Sequence, residues 1–182
     1  MNPISIALAF PFLGSVRTIL RRSTSVSPRA AQQIRRPELA PNGHRIIVPV
    51  LESALSMQAV EVACQLASEQ QATIMLACVI QVHETLGLDM LLPGAQERAK
   101  RLVRQAESIV LQHGLQAESC VVQHRNAEDA ILELACKLSA KTIVVGMSNA
   151  SGWPNSQIGK TVSGLFQHAP CRVVIAKAPL AA

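Results

Sequence analysis

The residues whose types and spacing could do chemistry lie between Ile143 and Lys177 (IVVGMSNASGWPNSQIGKTVSGLFQHAPCRVVIAK). An apolar run ends at Gly146, and a polar loop rich in Gly, Ser, Asn and Pro follows. Gly159-Lys160-Thr161 then opens a helix-like stretch, and a second apolar run closes the segment. A buried strand that leads through glycines into a helix start presents backbone N–H groups and the positive end of the helix dipole. That chemistry suits an anion such as a phosphate. The Gly-Lys-Thr triplet does not make a Walker A loop, which needs glycine where Pro154 stands.

Other chemistries find less support. The histidines at 44, 83, 113, 124 and 168 form neither HxH nor HExxH, and the cysteines at 64, 78, 120, 136 and 171 contain no CxxC pair, so no metal site is indicated. Five widely spaced cysteines in apolar segments read as reduced, buried thiols of a cytosolic protein. No nucleophile–base–orienter set and no paired carboxylates emerge, so no catalytic residue is assigned and the chain is not expected to be an enzyme. His83 and Glu84 read as exposed loop residues, and His168-Ala169-Pro170-Cys171 as a structural turn. Trp153 is expected to pack on its own domain.

The elements that must position this loop are legible in the apolar pattern. Arg45–Leu51 is a near-continuous apolar run, the signature of a strand buried on both faces. Ser53 can cap a helix from Ala54 to about Gln70 that turns Leu55, Ala59, Val62, Ala63 and Leu66 inward. Strands are predicted at Ala72–Val82, Gln116–His124, Lys141–Gly146 and Cys171–Ala176. Helices are predicted from Ala95 to His113, closed by Gly114; after Asn126, with Ile131, Leu132, Leu134 and Ala135 inward; and over Gly159–His168. Alternating strands and helices mean an α/β fold: one parallel sheet with helices on both faces. Such a sheet binds ligands at the carboxyl ends of its strands where strand order reverses, here the end of the first strand at Val50 and Leu51 and of the fourth at Val145 and Gly146.

The net charge of +5 does not belong to this part of the chain. Residues 1–43 hold six arginines and one acid, whereas residues 44–182 hold eleven cations and eleven acids. With three Phe, one Trp and no Tyr there is also no stacking platform, so nucleic acid is not an expected partner. Residues 1–43 form a basic, partly apolar extension and linker. Its apolar start is shorter than the ~20 residues that span a bilayer. Three readings of it stay open: a membrane-surface or transporter-linked segment within residues 1–36, an organellar transit peptide, and a disordered leader.

Across His44–Pro179 the sequence resembles the universal stress protein family. RIIVPV is similar to that family's opening strand, NAEDAILELACKLSAKTIVVG to its second block, and GKTVSGLFQHAPCRVVIAK to its ending. The resemblance implies a five-stranded parallel sheet of order 3-2-1-4-5 in the three-layer, adenine nucleotide alpha hydrolase-like form. It also implies a cytoplasmic setting and a homodimer paired through the last strand. The family's ATP-binding branch carries an aspartate at the end of the first strand and a G-x2-G-x9-G-[S/T] loop. Mapped by that resemblance, Val50, Val145, Gly146, Asn149, Gly159, Lys160 and Thr161 are the candidate binding residues, with ATP or AMP as the ligand. Asn149 stands at the second glycine, Lys160 at the Ser/Thr, and Leu51 at the aspartate. The frame is kept while the contact residues are altered, which implies a degenerate nucleotide pocket in a stress-response or regulatory domain. An ATP- or AMP-binding protein and a regulatory domain of a membrane transporter are the alternatives.

Overall fold

The computed structural model describes residues 43–147 and 159–177. In chain order the elements are β1 (Arg45–Pro49), α1 (Ala54–Gln70), β2 (Thr73–Gln81), α2 (Pro93–Gln112), β3 (Ala117–His124), α3 (Ala127–Leu138), β4 (Thr142–Met147), α4 (Lys160–His168) and β5 (Arg172–Lys177). The five strands pair in parallel in the order β3-β2-β1-β4-β5, as the resemblance implied.

The continuous apolar runs are explained by burial on both sides of the sheet. Successive side chains of a strand point to opposite faces. Ile46, Val48 and Val50 of β1, with Ile74 and Leu76 of β2 and Val144 of β4, pack against Ala59, Val60 and Ala63 of α1 and Ala106 and Val110 of α2. Ile47, Met75, Ala77, Ile143 and Val145 face the other way, onto Ile131 and Ala135 of α3 and Leu165 of α4. The sheet is thus a middle layer between two pairs of helices. Each core side chain removed from water contributes about 1.5–3 kcal/mol.

The helix boundaries follow local chemistry. Ser53 caps α1 by accepting from the Ser56 N–H, and Asn126 caps α3 by accepting from the Glu128 N–H, both as expected. Helix α2 starts at Pro93, two residues before the sequence-based boundary, because proline fits a first helical position, where no intrahelical N–H bond is needed. Its far end closes as expected. Gly114 takes φ +71°, its N–H bonds the Leu111 carbonyl, and the Leu115 N–H bonds the Val110 carbonyl.

Two other helices end in the same left-handed turn without glycine. Gln71 after α1 and Ser139 after α3 hold φ of 51° and 50°. Ala72 N–H then reaches the Ala67 carbonyl, and Ala140 N–H reaches Ala135. A side chain in this backbone region costs energy that glycine avoids. Ser139 is exposed, and its substitution exposes nothing buried. Ser139→Gly is therefore expected to stabilise the protein by about 0.5–1 kcal/mol, and Gly114→Ala to destabilise it by a similar amount, read as opposite shifts of the urea midpoint.

Candidate functional site

The carboxyl edge of the sheet is organised by the end of β1. In a parallel ladder alternate residues bond to alternate neighbours. The His44 carbonyl and the Val50 N–H pair with β2, while the Arg45 carbonyl accepts from Lys141 at the start of β4. Residues 47 and 49 therefore face β4, and Pro49 has no N–H to offer there. Pairing of β1 with β4 is confined to Ile46↔Thr142 and Ile47↔Ile143, while β4 continues alongside β5 to Met147↔Lys177. The proline ends the ladder, so β1 stops at Pro49 rather than at Leu51. The two central strands part there and leave a crevice.

Ser56, 3% exposed in the first turn of α1, secures the opened strand end. Its hydroxyl donates to the Pro49 carbonyl at 3.2 Å and accepts from the Leu51 N–H at 2.9 Å. Sequence reasoning missed this role; the pattern Ser53-x-x-Ser56 at a helix start was the available signal. Leu51 itself is 53% exposed at the mouth of the crevice.

The residues expected to bind nucleotide divide into two kinds. Val50 and Val145 are 0% and 4% exposed and belong to opposite core layers, so the sheet separates their side chains. Gly146 is half-buried, and a Cβ there would run into the backbone of Leu55, its carbonyl carbon standing 2.7 Å away. This glycine is needed for strand β4 to pass α1. Gly159 has φ −50°, caps α4 without a side chain, and among the described residues has nothing within 4 Å of where a Cβ would stand. Lys160 is exposed and Thr161 half-buried, both in the first turn of α4, which contains no acid. That turn is electropositive by its dipole and carries a cation as well. Asn149, Trp153 and Pro154 lie outside the described residues.

Two further side chains shape this end of the molecule. Arg125, just after β3, spends its guanidinium on carbonyls of the segment leaving β2: Val82 at 3.3 Å, Leu86 at 2.6 Å, and His83. This holds the loop over the strand ends, with His83 and Glu84 exposed as expected. Glu128, in the first turn of α3, accepts from His168 Nδ1 at 3.0 Å and lies over Gly164, where a Cβ would overlap its carboxylate. The turn at His168 thus ties α4 to α3.

Groups able to react are few among the described residues. No three His, Cys, Asp or Glu side chains converge as metal ligands there. Cys64, Cys78 and Cys120 are buried as expected, and Cys171 is half-buried. Cys136 corrects the expectation: it is exposed, because it follows Ala135 on α3 and turns outward as Ala135 turns in. Burial pushes the Cys78 and Cys120 thiols up to about 11, far from a reactive thiolate at neutral pH.

Residues 43–177 match the universal stress protein family. The chain belongs to that family. A universal stress protein of Methanocaldococcus jannaschii is 25% identical over 145 residues, covering 74% of this chain and 82% of the relative. Among solved structures, the Archaeoglobus fulgidus universal stress protein in complex with dAMP superposes with a TM-score of 0.59 at 17% identity, covering 72% of this chain and 96% of that one. An Arabidopsis thaliana family member with AMP bound gives a TM-score of 0.54 at 16% identity, covering 75% and 93%. At such identities the structural likeness speaks for the fold.

The two loop glycines are expected to behave differently. Gly146→Ala must push α1 from β4 and should cost about 1–3 kcal/mol, whereas Gly159→Ala should shift stability by less than about 0.5 kcal/mol. Thermal unfolding of both variants checks this. The thiols give a second test. The unfolded chain releases the Cys78 and Cys120 protons near the ordinary value of 9.0, and the folded chain near 11. Their contribution is therefore complete below pH 9 and declines as the pH rises toward 11. A thiol reagent at neutral pH should modify Cys136 in the folded protein, and Cys78 and Cys120 only on unfolding.

Proposed function

We propose that the chain is a non-catalytic, regulatory universal stress protein domain with a weakened nucleotide pocket, acting as a cytoplasmic homodimer. The observation that carries this reading is the end of β1. Where the nucleotide-binding branch has an aspartate, Leu51 presents an exposed aliphatic side chain, and its N–H is already taken by Ser56. Position 51 therefore offers a ligand no side-chain acceptor.

The frame for a phosphate is retained. Gly159 leaves open space before α4, and the first turn of that helix has no acid to repel an anion. Lys160 in that turn is disfavoured by the dipole by about 0.3–1 kcal/mol and is offset by a bound anion. The dAMP and AMP held by the two relatives make adenine nucleotides the ligand class to test. Weak retention of the phosphates with loss of the strand-end contact fits these residues.

The dimer is proposed through β5, an outer strand whose Val173, Val174 and Ile175 are incompletely buried. A second copy of this strand would cover that edge. A cytoplasmic setting is supported by the free cysteines. Among the described residues no helix is long and apolar enough to cross a membrane.

Calorimetry of the full chain with AMP and ATP tests the pocket. The dissociation constant is expected to be weaker than about 1 mM. Leu51→Asp should tighten binding by about ten- to a hundredfold, the worth of one restored charged hydrogen bond. Micromolar binding by the parent protein would overturn the reading, as would a Leu51→Asp variant that folds normally and gains nothing.

A further inference from the structure

The outer face of α2 is basic in a way that nothing in the fold uses. Arg98, Arg101 and Arg104 follow one another at three-residue spacing and are all exposed, which places them on one side of the helix. The acids beside them are engaged elsewhere. Glu97 pairs with Lys100 at 3.2 Å, and Glu107 accepts from Ser119 at 2.6 Å. Asp89 turns back over Gly87, its Oδ1 2.8 Å from the place of a Cβ there. Among the described residues none of the three guanidinium groups has an ion-pair partner.

Exposed aliphatic side chains stand at both ends of this stripe. Met90 and Leu91, on the loop that enters α2, are 43% and 80% exposed, and Leu111 near its end is 66% exposed. Arg98 Nη1 lies 3.8 Å from the place of a Cβ on Gly94, so the stripe reaches back to the helix's first turn. Leu92 and Ala95 pack inward against Ala99 and Val103, which fixes the loop and leaves Leu91 projecting.

We propose that this face docks on an anionic lipid surface, with Leu91 and Met90 entering the headgroup region and Arg98, Arg101 and Arg104 meeting lipid phosphates. The combination selects the occupant. Guanidiniums without an ion-pair partner among the described residues are drawn to an anionic surface, and aliphatic side chains flanking them gain from a surface with an apolar interior. The face has no aromatic residue on which a nucleic-acid base could stack. The helix, about 30 Å long, lies along the surface rather than through it.

Co-sedimentation of the full chain with vesicles tests this, using pure phosphatidylcholine and a mixture containing one-third phosphatidylserine. The parent protein is expected to bind the mixed vesicles and to be released by high salt. Replacing all three arginines (Arg98→Gln, Arg101→Gln, Arg104→Gln) should weaken that binding roughly a hundredfold, at about fivefold for each charge. Leu91→Ser should weaken it several-fold, with both variants melting like the parent. A parallel variant (Arg17→Gln, Arg21→Gln, Arg22→Gln) separates the N-terminal segment's contribution. The proposal is overturned if the α2 variants sediment like the parent. It is equally overturned if the parent binds no anionic vesicles, if only the N-terminal variant loses binding, or if Leu91→Ser is without effect while the arginine variant loses affinity for duplex DNA.

Discussion

The structure depends on where the central strand β1 stops pairing with β4. A ladder between strands needs a donor at every second residue, and here Pro49 has no N–H to give. Its carbonyl and the following free N–H are then taken by the hydroxyl of Ser56. That one buried side chain satisfies two backbone groups at the strand's end and anchors the first turn of α1 there. Losing it would remove the partner of both groups. At the reversal of strand order, the β1–β4 ladder gives way to these side-chain bonds.

The glycines of the fourth-strand loop serve unlike purposes. Gly146 lets β4 pass the backbone of Leu55, a requirement of packing that holds with or without a ligand. Gly159 relieves no contact among the described residues, so the freedom it gives is available to whatever approaches α4. Packing therefore accounts for the first glycine without a ligand. Leu51 is exposed, on a strand end that Ser56 holds in place.

Arg125 and Glu128 show how the ends of the sheet are kept in order. One guanidinium holds three carbonyls of the segment leaving β2, a match between a rigid fork of donors and a turn that has exhausted its own. The carboxylate of Glu128 bridges the two helices on either side of β4 in the chain, reaching His168 across Gly164. Both side chains look like ordinary surface charges in the sequence.

The sequence by itself determined the layers and their composition. Runs such as Ile46-Ile47-Val48 and Ile143-Val144-Val145 can be buried only in a strand covered on both faces, and the caps Ser53 and Asn126 and the terminator Gly114 marked their helices through bonds made within a few residues. The family blocks carried the strand order. Composition was also enough for the neutral charge of residues 44–182. Tertiary structure alone decided what depended on residues distant in the chain: that Val50 and Val145 face opposite layers, that Gly146 meets Leu55, and that Arg125 and Glu128 are structural ties. It likewise left Cys136 facing solvent. The physical reason is range. Backbone bonding and apolar period act within a turn or a strand and are written in consecutive residues. Which faces meet is settled only when the whole sheet has packed.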